Sequence, residues 1–262
     1  MHKKALMGIA VSLLLLAVFA VGGVSAEESE KVTYVVGIDG EYPPYSYIDE
    51  SGKPVGFDVE SIQWIAEQKG FEVEIQPIAW DSLIPNLQTG KVDMVYAGLS
   101  ITPVRAEKIG FSIPYWNVDL AVAGKAGSDV TMDKFNAGDV VIGVQRGCSS
   151  ADWLELHFGT EKYNQMVKDG QIKLFDSFPM SMVALENGQV AAVIFDDAGI
   201  DEYIVGKDNL VKVGVTDTGE QFAVGFAKEN TELRDLVNEG LEELMASEKW
   251  TELKEKYGLV EE

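Results

Sequence analysis

Cysteine is almost missing from this chain. Cys148 is the only one in 262 residues, so no disulfide can form within it. Stability must come from a buried core, which a chain of this length can supply. Histidine is nearly as scarce: His2 and His157 are the only two, which leaves little for a histidine-based metal site or proton shuttle. The acids show no metal-loop spacing, so neither a metal nor a cofactor is expected. Basic residues are outnumbered, 21 Lys and Arg against 43 Asp and Glu, for a formal net charge of −22. Such a surface repels nucleic acid and anionic lipid. There is no low-complexity run and no internal repeat.

Apolar runs long enough to approach the span of a bilayer are absent too, with one exception at the start. His2, Lys3 and Lys4 form a basic opening, no charge falls between Ala5 and Val24, and Val24-Ser25-Ala26 offers a small-residue cleavage site before Glu27. Residues 1–26 therefore read as a secretory signal peptide. An uncleaved anchor is the alternative, because about 20 apolar residues nearly span a bilayer. Both readings export the chain across the cytoplasmic membrane, to a periplasmic or cell-surface location.

From Glu27 onward strands and helices alternate, which argues for an α/β architecture. Val32 to Ile38 reads as a strand running into the loop Asp39 to Tyr45, stiffened by Pro43 and Pro44. Asp58 stands where it would cap a helix through Lys69, with Val59, Ile62, Ile65 and Ala66 on one face and Gly70 ending it. Val92 to Ala97 reads as a buried strand that closes on Ala97-Gly98, where a residue without a Cβ lets a ligand approach the backbone. Ser100 and Arg105 follow, and Arg grips a carboxylate with two parallel hydrogen bonds. The same residues could equally be an ordinary turn with a surface Arg. After Val118 to Ala123 the pattern begins again: the strand Val140 to Val144 leads into Gln145 to Ser150, and Ala191 to Phe195 ends on Asp196-Asp197. Gln221 to Phe226 reads as a last strand, with two helices to close. In open α/β sheets ligands sit at the carboxyl ends of strands. Asp39, Gly98, Ser100, Gln145 to Ser150 and Asp196 all fall there.

The ordered stretches Asp39 with Tyr42 to Tyr45, Gly56 to Val59, Trp80 to Gln88, Gly98 to Arg105, Phe111 to Tyr115, Val144 to Ser150 and Ala192 to Asp196 resemble extracellular solute-binding proteins of family 3, the polar-amino-acid receptors of ABC importers. The resemblance implies a two-lobe periplasmic-binding-protein-like fold (type II), with two α/β domains joined by a two-stranded hinge. Lobe 1 is expected over residues 27–117 plus 220–262 and lobe 2 over 118–219, with crossings near Tyr115–Asp119 and Thr218–Phe222. Hinge closure around a ligand is the mode of such proteins.

The resemblance also implies roles. Arg105 would hold an α-carboxylate, with Ser100 and the Gly98 backbone adding hydrogen bonds. Asp196 would hold the α-ammonium, since a buried ammonium must be paired, while Asp197 would cap the next helix. Tyr42 and Trp80 would sandwich the ligand side chain. Gln145, Cys148 and Ser149 match the second lobe's contact loop, although threonine is usual where Cys148 stands and a thiol is a weak donor. Asp39 would meet the side chain. Strand alternation should turn Arg146 away from the side on which Gln145 lies, so an anionic side chain would lack a partner. The ligand is therefore expected to be a polar neutral or basic L-amino acid, and the chain a monomeric, non-enzymatic receptor delivering it to a membrane ABC permease. A dehydratase-like enzyme of the prephenate or arogenate type and a ligand-sensing subunit are the alternatives on the same fold.

Overall fold

A computed structural model describes residues 31–259; the expected leader, 1–26, lies outside them. The chain folds as two α/β lobes, each built on a five-stranded sheet. In the first sheet the central strand Thr33–Ile38, rich in β-branched residues that suit a pleated surface, pairs in parallel with Glu72–Pro77 and Met94–Val95. The short strand Gly225–Phe226 adds antiparallel and joins Gly110–Phe111 to the sheet. In the second sheet Ile142–Gln145 lies parallel to both Ile172–Phe175 and Ala192–Asp196, and the latter runs antiparallel to Trp116–Lys125. A separate three-stranded meander carries Glu41–Tyr42, Ser46–Ile48 and Pro54–Val55.

The strand Leu210–Phe222 runs over 13 residues, and the expected strand Gln221 to Phe226 is divided between its end and Gly225–Phe226. It pairs with Trp116–Lys125 along its length, with register shifts between Lys212 and Gly214 and between Thr216 and Glu220. At the far end Glu220, Gln221 and Phe222 face Val118, Asn117 and Trp116. These two strands carry the chain out of the first lobe and back again.

The helix over Phe57–Lys69 buries Val59, Ile62, Ile65 and Ala66, as its spacing predicts, and Gly70 ends it in a left-handed cap. Its start is different. Gly56 is the N-cap, at φ 129°, and a Cβ there would lie 2.2 Å from the Tyr45 carbonyl oxygen, so only glycine fits. Asp58 makes no cap hydrogen bond; it is fully buried and points elsewhere. At the middle of the second sheet Val122, Ala123, Ile142, Val193 and Ile194 are all fully buried, each larger aliphatic contributing about 1.5–3 kcal/mol of burial. No helix among the described residues is long and apolar enough to cross a membrane.

Candidate functional site

Strand ends from both sheets converge on one small, largely enclosed cavity. Asp39, Tyr42, Trp80, Gly98, Ser100, Arg105, Gln145, Cys148, Ser149 and Asp196 all line it, together with Phe195. Ala97 does not. Its side chain is fully buried and packs with Leu83, Leu87 and Val95 beneath the cavity wall. Phe195 was not among the expected residues; it stacks on Phe178 at 4.0 Å between ring centroids.

Arg105 is held from several sides. It sits in the one-turn helix Pro103–Ala106, whose N-cap Thr102 accepts from the Arg105 backbone amide. One terminal nitrogen of its guanidinium donates to the Ser100 carbonyl at 2.9 Å and the other to the Gly147 carbonyl at 3.1 Å. A guanidinium has five N–H groups, so one on each terminal nitrogen remains for a carboxylate. The group is buried and lies 5.2 Å from the Trp80 ring centroid. Burial pulls its pKa down, opposed chiefly by Asp152.

The lobes touch across the cavity. Trp80 Nε1 donates to the Gly147 carbonyl at 3.0 Å, so that one oxygen receives both Trp80 and Arg105. Ser100 Oγ meets Ser149 Oγ at 3.3 Å. Tyr42 does more than present a ring face: its hydroxyl donates to Asp196 Oδ2 at 2.5 Å, and the ring packs in a fully buried cluster against Tyr45 and Phe195.

Three buried carboxyls lie at or behind this cavity. Burial raises Asp196 to about 7, with the Tyr42 hydroxyl pulling it back, and its Oδ1 has no hydrogen-bond partner. Burial raises Asp39 to about 6, with the Glu41 amide, which donates to Oδ1 at 3.0 Å, opposing. Gln145 Nε2 is buried without a well-aligned partner, yet it lies near enough to Asp39 to lower that carboxyl slightly. The third carboxyl, Asp58, is the residue that sequence reasoning placed wrongly. Its Oδ2 accepts from the Gly98 amide at 2.6 Å and from the Tyr115 hydroxyl at 3.0 Å, and burial lifts it to about 8. The Gly98 amide, expected to face a ligand, is thus already taken.

On the other lobe Cys148 is the N-cap of the helix Ser149–Phe158 but makes no cap bond through its side chain. Its thiol donates back to the Gln145 carbonyl at 3.0 Å, and burial pushes it up to about 12. The thiol therefore stays protonated at neutral pH. His157 is remote from the cavity, stacked on Trp153 and hydrogen-bonded to the Asn136 carbonyl. Arg146 is exposed and sits 3.7 Å from Asp176. Asp197, rather than capping through a later amide, accepts from Ala198 beside it. No group of three or more potential metal ligands exists among the described residues.

The family described as "Bacterial extracellular solute-binding proteins, family 3" matches residues 34–260. The L-cystine-binding protein TcyJ of Escherichia coli (strain K12) is 28% identical over 263 residues, covering 95% of each chain. Among solved structures, the arginine-, lysine-, histidine-binding protein ArtJ from Geobacillus stearothermophilus is 32% identical with a TM-score of 0.77, over 89% of this chain and 97% of that one. The ancestral amino acid-binding protein AncCDT-1, a precursor of cyclohexadienyl dehydratase, is 28% identical with a TM-score of 0.72, over 86% and 94%.

Proposed function

This chain belongs to family 3 of the bacterial extracellular solute-binding proteins, and we propose that it is a non-enzymatic receptor that closes on a basic L-amino acid and presents it to an ABC permease. The observation that carries this reading is the charge set of one enclosed cavity: a buried cation, Arg105, and two buried carboxyls, Asp196 and Asp39. Arg105 takes the α-carboxylate and Asp196 the α-ammonium, which neutralises a zwitterion's head. Asp39 is then left without a cation. A buried charge needs a partner, and the end of a lysine, arginine or histidine side chain supplies it. The only other cation in the matched loops, Arg146, is turned outward, so an acidic side chain finds nothing.

Lobe 1 is taken as residues 27–117 with 220–262 and lobe 2 as 118–219. Closure is a rotation about the paired crossings, and the leader 1–26 directs export. The residues that touch ligand are those of the cavity wall, with Ala97 contributing only its place beneath it.

One observation supports a second reading. Carboxyls shifted toward neutrality in an enclosed site suit proton transfer, and a precursor of a dehydratase shares the fold. Turnover of prephenate or arogenate by the purified chain separates the two. For the receptor, the test is a thermal-shift screen over the twenty amino acids, since a ligand bound only by the folded state raises stability by mass action. Arginine, lysine or histidine should raise the melting temperature most. Asp39→Asn should lower affinity for that ligand about tenfold, roughly 1.4 kcal/mol, and leave neutral amino acids unaffected. A chain that answers to none of the twenty is not this receptor.

A further inference from the structure

The cavity wall and the inter-lobe crossings meet at one buried carboxyl group that no ligand can reach. Asp58 is fully buried. Through a single oxygen, Oδ2, it accepts from two donors that belong to different parts of the fold: the Gly98 amide in the cavity wall, at 2.6 Å, and the Tyr115 hydroxyl at the mouth of the outgoing crossing, at 3.0 Å. The returning crossing lies between them. Tyr115 donates its backbone amide to the Phe222 carbonyl at 2.9 Å, and Phe222 pairs with Trp116. The cavity turn is itself laid along that return strand: Ile101 donates to the Gln221 carbonyl, Ala223 donates to the Leu99 carbonyl, and Ser100 bridges to Phe222. Gly98 has φ +56°, and a Cβ there would come within 2.5 Å of Tyr42 Cε1 and 3.3 Å of Phe222 Cε2. The turn therefore has no slack on its cavity side.

We propose that Asp58 is a positioning residue that locks the Gly98–Ser100 turn to the crossing, so that seating a ligand on the turn and bending the crossing become one event. The inference rests on the receptor reading for its purpose, though not for its geometry. What the junction needs at this point is an acceptor oxygen shared by two donors. Nothing positive faces it: none of the salt bridges among the described residues involves Asp58, and its Oδ1 has no partner. An acceptor without charge should therefore serve. Loss of the hydroxyl donor alone, by Tyr115→Phe, leaves the turn held but frees the crossing from it.

The experiment is an inter-lobe distance distribution by fluorescence energy transfer between dyes at Lys91→Cys and Lys168→Cys, both exposed, in the full chain with Cys148 left in place. It is recorded without ligand and then with L-arginine and with L-glutamine. Asp58→Leu should broaden the ligand-free distribution and speed ligand release about tenfold. Tyr115→Phe should do the same more weakly, about threefold, and Asp58→Asn should stay within twofold of the parent. A purely structural role would lower the melting temperature without moving the distance distribution of the folded protein. Folded Leu and Phe variants with the parent's distribution and release rate overturn the proposal. So does an Asn variant as impaired as the Leu variant, because charge rather than an acceptor oxygen would then be at work. If the Leu variant does not fold, the Phe and Asn variants decide. Because the distribution is read without ligand, a parent protein indifferent to every amino acid sinks the receptor reading and leaves this one decidable.

Discussion

The two walls of the cavity are built differently. On the first lobe the polar groups are already engaged by their own chain: the Gly98 amide by Asp58, the Arg105 guanidinium by the Ser100 carbonyl, and the Arg105 amide by Thr102. On the second lobe two polar atoms that line the cavity lack a well-aligned partner, Gln145 Nε2 and Asp196 Oδ1. An idle buried polar atom costs about 1–3 kcal/mol, which a bound molecule can recover. The first wall is thus a finished mould, and the second gains most from what it closes on. Affinity should be set by Arg105 on the first wall, and the closed state by what satisfies the second.

The sharpest way to break this contrast is Arg105→Ala. Removing one partner of a buried pair costs about 3–5 kcal/mol, so calorimetry should show at least a hundredfold loss for the best ligand; retained affinity would end the assignment of that wall. Asp196→Asn comes next. It keeps an acceptor for the Tyr42 hydroxyl but loses the charge opposite an α-ammonium, and titration should show a loss of about ten- to a hundredfold with little change in melting temperature.

A smaller effect comes from pH. Asp39, Asp196 and Asp58 titrate at about 6, 7 and 8 when folded, each raised by burial from an ordinary 3.8. Between about pH 4 and those values the folded chain holds protons that the unfolded chain has lost, so stability falls as pH rises, by up to about 1.4 kcal/mol per pH unit for each group in its window. Calorimetric melting without ligand should therefore drop by several degrees from pH 5 to pH 8. Saturating arginine should shrink the drop, because Asp39 and Asp196 then face cations while Asp58 does not. A melting temperature that rises over this range contradicts the burial of these groups. The smallest effect is Cys148→Ser. The hydroxyl can keep the bond to the Gln145 carbonyl, so affinity should stay within about threefold. The parent thiol should ignore alkylating reagents at pH 8, since it titrates at about 12.

Much of this was legible in the chain. The strand Thr33–Ile38 and the buried face of Phe57–Lys69 announce themselves through apolar spacing, and polar residues at strand ends mark where a site must lie. Three things were not legible. Asp58 obeys a local rule, an acid at a helix start, and the structure overrides it with partners 40 and 57 residues away. Ala97 sits next to Gly98, but its side chain turns to the core. The length of Leu210–Phe222 comes from pairing with Trp116–Lys125, and its polar, half-exposed second half carries no apolar pattern of its own.

The shared acceptor at Gly147 has one more consequence. Trp80 and Arg105 both close onto a main-chain oxygen, which side-chain drift cannot delete. A substitution at Gln145, Cys148 or Ser149 leaves that oxygen in place, so this fastening between the lobes hangs on the two donors, Trp80 and Arg105.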